Sequence, residues 1–274
     1  MLRDPEKHPW SKPAIKKMNP GIKVHQFPCL DDNYGYLAHC PASNLTACID
    51  TPDVAAIEQA LADTGWTLTH IFNTHHHLDH AGGNLELKEK TGCTIVGAEV
   101  DAERIPGIDI KVGEQELFRF GTHEIQVLNT PGHTSGHIVY RFLAHNIAFV
   151  GDTLFSMGCG RLFEGTAEQM WESLQKITAW PDHTMLYCAH EYTQSNAAFA
   201  LSVEPGNSEL QSRAAKVDEL RAKGEPTVPT SLKIEKLTNP FLRPDSPEIR
   251  AVLEMPNDGD TEVFAEIRKR KDNF

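Results

Sequence analysis

The sequence predicts a layered α/β or α+β domain followed by a helical appendage, on three observations. Short apolar strands separated by turns fill the chain up to residue 190, with amphipathic helices among them. Only helical patterns follow, which places a domain boundary at about residue 190. The histidines and aspartates best suited to chemistry lie just past apolar strands, where α/β folds build their sites.

The elements follow in order. Ile22–Phe27, Tyr36–His39 and Leu45–Asp50 read as the first strands. A helix is expected over 52–63, with Thr51 as N-cap, Pro52 at the favoured first position and Gly65 beyond the end. Its Val54, Ile57 and Leu61 share an apolar face. The strand Leu68–Thr74 runs straight into Thr74-His75-His76-His77-Leu78-Asp79-His80. Glu124–Asn129 alternates Ile125 and Val127 with polar neighbours, as a half-buried strand does. Ile138–Leu143 and Ile147–Val150 form a hairpin around His145-Asn146. A capping box, Thr166-x-x-Gln169, opens a helix on which Met170, Leu174 and Ile177 share a face. Met185–Ala189 is the last strand. Beyond it, Tyr192–Val203 is helical, Ser208-x-x-Gln211 caps a helix with Leu210, Ala214 and Val217 in register, and Thr261–Lys271 forms a final helix.

The chain has 274 residues, a hydrophobic fraction of 40% and a charged fraction of 23%, as an ordinary soluble globular protein does. Its 38 acidic and 26 basic side chains give a net charge of −12, which argues against nucleic acid or an anionic membrane as partner. Six scattered cysteines without a C-x-x-C pair read as free thiols of a reducing cytosol, so the expected location is cytoplasmic. No run of 18 apolar residues is present. Residues 1–20, with four prolines, five basic side chains and no apolar h-region, are expected to be a disordered N-terminal tail, with Met18 a candidate start.

Four histidines and an aspartate crowd into His75–His80. If extended geometry continues past the strand, His75, His77 and Asp79 converge on one point and His80 turns to a neighbouring one. Imidazole and carboxylate are ligands for zinc, iron or manganese. His76 falls on the opposite face and is not expected to be a ligand. His133, Asp152 and His190 each follow an apolar strand and join the candidates. His137 shares that context but is one too many, and is given a structural role. The isolated His8, His25, His39, His70, His123, His145 and His183 read as surface or satisfied core residues.

The string Thr74-His75-His76-His77-Leu78-Asp79-His80, with His133, Asp152 and His190 beyond it, resembles the signature of the metallo-β-lactamase superfamily. That resemblance implies an αββα sandwich over residues 21–190, with two divalent metals at one edge. Carried over, His75, His77 and His133 would hold the first metal, Asp79, His80 and His190 the second, and Asp152 would bridge them. Within the superfamily the chain resembles glyoxalase II, the hydroxyacylglutathione hydrolase family, from about Ile22 to Phe274. The segments that carry this are Leu30-Asp31-Asp32-Asn33-Tyr34, Gly151-Asp152-Thr153-Leu154-Phe155, Gly158-Cys159-Gly160-Arg161-Leu162-Phe163-Glu164-Gly165-Thr166, Ala189-His190-Glu191-Tyr192-Thr193, Asn239-Pro240-Phe241-Leu242-Arg243 and the basic end Arg268–Phe274.

The family resemblance implies that a metal-bridging hydroxide attacks the thioester of S-D-lactoylglutathione and of other 2-hydroxyacylglutathiones. The products are D-lactate, or the matching 2-hydroxy acid, and glutathione, in the second step of methylglyoxal detoxification. Asp79 would be a metal ligand orienting that hydroxide. Zinc is the metal expected first, with iron or manganese acceptable to the same donors. Arg161, Phe163, Tyr192, Arg268 and Lys271 match the glutathione-contacting positions, making residues 191–274 a helical glutathione-binding domain; Phe163 stands where some relatives carry Tyr. Cys159, in a glycine-rich turn without a His partner, reads as structural. A monomer or weak homo-oligomer is expected. The rival reading is a glutathione persulfide dioxygenase with a single iron in the same fold, against which the long basic-ended C-terminal segment weighs. A nuclease is disfavoured by the acidity, and a metal store by ligands grouped around an open bridge.

Overall fold

The computed structural model describes residues 21–274, so the expected tail over 1–20 and a start at Met18 lie outside the described residues. Two six-stranded sheets stack face to face. The first is β1 (Lys23–Cys29), β2 (Asn33–Cys40), β3 (Leu45–Ile49), β4 (His70–Phe72), β5 (Thr94–Ala98) and β6 (Ile110–Val112), side by side in that order. Its first three strands pair antiparallel and the rest parallel. The second contains β7 (Leu117–Phe120), β8 (His123–Asn129), β9 (Ile138–Phe142) and β10 (Ile147–Gly151). A small hairpin, β11 (Leu154–Phe155) with β12 (Gly158–Cys159), follows β10. The second sheet is completed by β13 (Met185–Cys188), parallel to β10, and β14 (Thr230–Ser231).

Side-chain alternation decides which face each strand turns to which layer. Leu37, Cys48 and Ile71 pack with Ile57 and Leu87 of helices α1 (Val54–Thr64) and α3 (Asn84–Thr91), the latter following the single turn α2 (Leu78–Ala81). Their neighbours Tyr36, Ala38 and Phe72 turn the other way, into the core shared with the second sheet. There Phe72 stacks on Tyr140 at 5.3 Å, and the Tyr140 hydroxyl donates back to Asn73 O at 2.8 Å. Helix α4 (Ala167–Thr178) buries Met170, Leu174 and Ile177 in that same core, and its capping box is present as the sequence predicts. This gives the αββα order expected from the resemblance.

After residue 190 come α5 (Thr193–Val203), α6 (Ser208–Arg221), α7 (Leu232–Thr238), α8 (Pro247–Leu253) and α9 (Asp260–Asp272). The region is not purely helical: Thr230–Ser231 adds an edge strand to β13. Phe199, Phe241, Phe264 and Ile267 continue the core of the second sheet. Glu235 is fully buried, pairs with Arg213 and accepts from Met157 N at 2.9 Å, pinning the β11–β12 turn to the helical region.

Several expectations are corrected. Asp53, not Thr51, caps α1, its carboxylate accepting from Ala56 N. Thr51 is buried instead and donates to Asn84 Oδ1 at 2.8 Å. Asn207, one residue before Ser208, caps α6 for the same reason: its side-chain oxygen reaches Leu210 N. The ladder of the expected Leu68–Thr74 strand covers only His70–Phe72, because Asn73 and Thr74 turn their backbones to Val96 and Ile138. Strands β5 to β7 and helices α3, α7 and α8 are additions to the elements that the sequence predicts.

Parallel strands β3, β4, β10 and β13 all end at one edge of the sandwich, and the residues after each end meet there. Gly151 makes the turn into Asp152 with φ of +48°, and a Cβ there would lie 2.7 Å from both His137 Nε2 and Thr74 Oγ1. The left-handed backbone alone costs a non-glycine residue about 1–2 kcal/mol. Gly151→Ala is therefore expected to destabilise the protein by at least about 2 kcal/mol in urea unfolding; an unchanged midpoint would contradict this close approach.

Candidate metal centre and its cavity

The centre begins with the way its imidazoles are held. His75 and His77 leave β4, with His75 Nδ1 3.1 Å from Thr74 Oγ1. His80 lies in α2 and its Nδ1–H donates to Asp50 Oδ2 at 2.8 Å. His133 Nδ1–H donates to Arg161 O, and His190 Nδ1–H to Asp32 Oδ1, each at 2.9 Å. Carbonyl and carboxylate oxygens only accept, so they fix the proton of His80, His133 and His190 on Nδ1 and aim the Nε2 lone pair inward.

The inward atoms form overlapping triangles. His75 Nε2 and His133 Nε2 lie 3.0 and 3.2 Å from His77 Nδ1. Asp79 Oδ2 lies 3.4 Å from His80 Nε2 and 3.6 Å from His190 Nε2. Asp152 stands between them: Oδ2 is 3.4 Å from His133 Nε2 and 3.5 Å from His190 Nε2, and Oδ1 is 3.5 Å from His80 Nε2. A tetrahedral ion with bonds of about 2.0–2.1 Å has its donors about 3.3–3.4 Å apart, which matches these edges. His75, His77 and His133 make one set able to hold an ion, Asp79, His80 and His190 another, and Asp152 also groups with His75 and His80.

Asp79 thus belongs with His80 and His190, not with His75 and His77 as extended geometry alone suggested. The reason is local: the chain turns into α2 directly after His77, and Asn33 Nδ2 donates to Asp79 Oδ2 at 3.2 Å. His76 points away and pairs with Asp101 at 3.1 Å. His137 is fully buried and accepts from Asp152 N at 3.0 Å, a supporting role.

The donor set fits a cation. His80 Nε2 and Asp152 Oδ1 are buried without a hydrogen-bond partner, a condition that costs free energy unless something else satisfies them. Burial pushes the pKa of His75, His77 and His133 down, and neighbouring imidazoles push the same way, so these three are neutral, the ligand form. Burial also disfavours charge on His80 and His190, but the carboxylate of Asp152 outweighs it and raises both. Burial would raise Asp79 and Asp152 as well, yet His80 holds both far below the ordinary carboxylate range. Two carboxylates inside the protein thus draw positive charge to the point where the imidazoles converge.

The centre opens into a cavity of about 540 Å³, and Arg161, Phe163, Tyr192, Arg268 and Lys271 all line it. Tyr192 stacks on His190 at 4.7 Å, and the Phe163 ring meets His77 and His133 edge-on. Arg268 is only 5% exposed. It donates Nη1–H to Cys159 O at 2.8 Å and to Cys159 Sγ at 3.8 Å, and Nε–H to Asp272 Oδ1 at 3.1 Å, with Nη2 2.8 Å from the same oxygen. Lys271 Nζ donates to Ser195 Oγ at 2.9 Å. Burial, then the charges of Arg268 and Arg161, bring Lys271 down to about 8. Burial pushes the Cys159 thiol up to about 11 despite Arg268 beside it, which agrees with a structural cysteine.

Sequence reasoning gives no role to Asp50 or Asp32. Asp50 directly follows a strand and Asp32, the second of two adjacent acids, directly precedes one, and Asp32 also lies in the Leu30–Tyr34 segment of the resemblance; the sequence holds no further signal for them.

The family model described as metallo-β-lactamase superfamily matches residues 47–190, and the one described as hydroxyacylglutathione hydrolase C-terminus matches 191–274. A hydroxyacylglutathione hydrolase from Maricaulis maris is 56% identical over 253 residues, 92% of this chain and 99% of its own. Another, from Methylococcus capsulatus, is 54% identical over the same shares. Among solved structures, ETHE1 from Myxococcus xanthus is 28% identical with a TM-score of 0.61, covering 91% of this chain and 98% of that one.

Partners that orient metal-binding histidines are typically worth about 10–100-fold in affinity. Asp50→Asn offers an N–H where Thr74 N and His80 Nδ1 both need an acceptor. Zinc affinity by chelator competition is expected to fall about 10–100-fold; wild-type affinity would refute the support given to Asp50.

Proposed function

The chain belongs to the hydroxyacylglutathione hydrolase family of the metallo-β-lactamase superfamily, and from that premise we propose that it hydrolyses S-D-lactoylglutathione to D-lactate and glutathione, the second step of methylglyoxal detoxification. One observation carries this reading furthest. The convergent imidazoles and carboxylates share a cavity with Arg161, Arg268 and Lys271. A thioester carbonyl suits the first group, and the two carboxylates of glutathione suit the second.

In this reading His75, His77 and His133 hold one divalent ion, Asp79, His80 and His190 the other, and Asp152 is shared. Zinc is the ion proposed, though nitrogen and oxygen donors also accept iron or manganese. Two such ions supply Lewis acidity and lower the pKa of water from about 15.7 towards about 7. The protein's own groups do the rest. Asp79, held by Asn33, orients the attacking water. Arg161 and Lys271 bind the glutathione carboxylates, with the Arg268 guanidinium adding positive charge beside them. Tyr192 provides a hydroxyl from its place over His190. Phe163 carries no hydroxyl, so it contributes a ring edge and no hydrogen bond. The division at residue 190 has the same logic: residues 21–190 carry the ligands, and residues 191–274 supply Tyr192, Arg268 and Lys271. Among the described residues no helix is long and apolar enough to cross a membrane, in keeping with a proposed cytoplasmic site of action. A monomer or weak homo-oligomer is the proposed state.

The test follows thioester absorbance with zinc-loaded protein and a chelated control. Rapid loss in the first, none in the second, and abolished turnover in His77→Ala are expected. No loss in the zinc-loaded sample, or oxygen uptake with glutathione persulfide in its place, would overturn the assignment. A second expectation concerns pH. Lys271 is charged below about 8 and neutral above it, so carboxylate binding weakens as pH rises through that value. kcat/KM should fall across this range, and Lys271→Arg should flatten the fall; an identical profile in the variant would remove Lys271 from the binding set.

A further inference from the structure

Arg104 lies outside the ligand set and outside the cavity wall, yet its guanidinium joins three loops that meet at one half of the centre. Its Nε–H donates to Asp101 Oδ1 at 3.0 Å, and Nη2–H donates to Ser135 Oγ at 2.9 Å. Nη1–H donates to Glu164 Oε1 at 2.6 Å and to His76 Nε2 at 3.3 Å. The network closes on itself. Asp101 is 1% exposed and its second oxygen accepts from His76 Nδ1–H at 3.1 Å. Glu164 Oε2 accepts from the backbone and the hydroxyl of Ser135, both at 2.8 Å. A Cβ at Gly136 would lie 2.1 Å from the Asp101 carboxyl carbon, so the loop sits directly on this acid.

Each tethered residue adjoins a ligand of the same set. His76 lies between His75 and His77, and Ser135 lies two residues after His133. Glu164 follows Phe163, whose N–H donates to His133 O at 3.2 Å. None of these contacts reaches Asp79, His80 or His190, which are held by Asn33, Asp50 and Asp32 instead.

We propose that the Arg104–Asp101–Glu164 ion network is a positioning device for one half of the centre: it sets the metal affinity of the His75, His77 and His133 group and leaves the Asp79, His80 and His190 group untouched. Arg104 is a positioning residue and touches no substrate. A general stabilising role is the alternative, but partly exposed ion pairs such as Arg104–Glu164 add little to global stability, whereas this one guanidinium joins three loops that bear or adjoin one ligand set.

The inference rests on the two-ion reading above, and its test separates the two. Zinc affinity of the full chain is measured by chelator competition for Arg104→Ala placed in two backgrounds, with thermal unfolding followed alongside. In His190→Ala, where the His75 group is left intact, Arg104→Ala is expected to weaken the remaining ion about 10–100-fold. In His77→Ala, where the other group is left intact, the change should stay within about twofold. Equal losses in both backgrounds, or no loss in either, would overturn the proposal. Should Arg104→Ala fail to fold, Glu164→Gln, which alters a partly exposed carboxylate, is read by the same comparison. A wild-type chain that binds fewer than two zinc ions would overturn the two-ion reading itself.

Discussion

The Asp50 carboxylate is the contact on which the rest of the centre depends. It sits at the end of β3 with a positive φ of 59°, a backbone state that Asp tolerates better than most residues. One oxygen accepts from Thr74 N at 2.7 Å, and the other from Thr74 Oγ1 and His80 Nδ1, both at 2.8 Å. A single buried acid thereby satisfies the first backbone donor of the histidine loop and selects the tautomer of a histidine six residues further on. Thr74 then passes the alignment to the second sheet, because its carbonyl accepts from Ile138 N at 2.9 Å. At the opposite side of the edge Tyr34 N donates to Ala189 O at 2.7 Å, beside His190. The sheets are therefore joined by backbone bonds where their strand ends must agree, and by aromatic packing elsewhere.

This arrangement places in a protein interior the groups that folding ordinarily excludes. Buried imidazoles that push one another's pKa down, and buried carboxylates facing them, each cost free energy. The sandwich can carry that cost because its core is large and continuous. Phe72, Tyr140, Phe149 and Phe120 are fully buried between or beside the sheets, each worth about 1.5–3 kcal/mol on burial. The strain is local and sits on the ends of well-anchored strands, as is usual for functional sites.

How much of this was legible in the sequence depended on the kind of signal. The ligand string was plain because so many imidazoles and carboxylates packed behind an apolar strand cost folding energy unless an ion satisfies them. The longer strands and the α4 capping box were plain because their periodicities extend over several residues. Strand β6 spans only three residues, too few for a period to show, and α3 has almost no apolar stripe to mark it. The caps of α1 and α6 were displaced by one or two residues, since the nearby Asp53 and Thr51, and the adjacent Asn207 and Ser208, are all chemically able to cap. Asp32 and Asp50 escaped for a different reason. They act through contacts across 158 and 30 residues of sequence, and such contacts leave no spacing to read. Asp79 is a different case: extended geometry sorts it with His75 and His77, whereas the turn into α2 and the family resemblance both sort it with His80 and His190.

The cysteines carry a consequence of their own. A thioester hydrolase holds an acyl group that a thiolate could take in place of water, so a reactive cysteine beside the thioester would itself become acylated. All six cysteines are free and buried. Cys159 alone of them lines the cavity, and with its pKa pushed up to about 11 it holds almost no thiolate near neutrality. Attack on a thioester, which moves the acyl group to the cysteine and frees the substrate's own thiolate, requires that thiolate. The wall of the cavity thus leaves the acyl group to water, and the catalyst does not end its cycle carrying that group on its own sulfur.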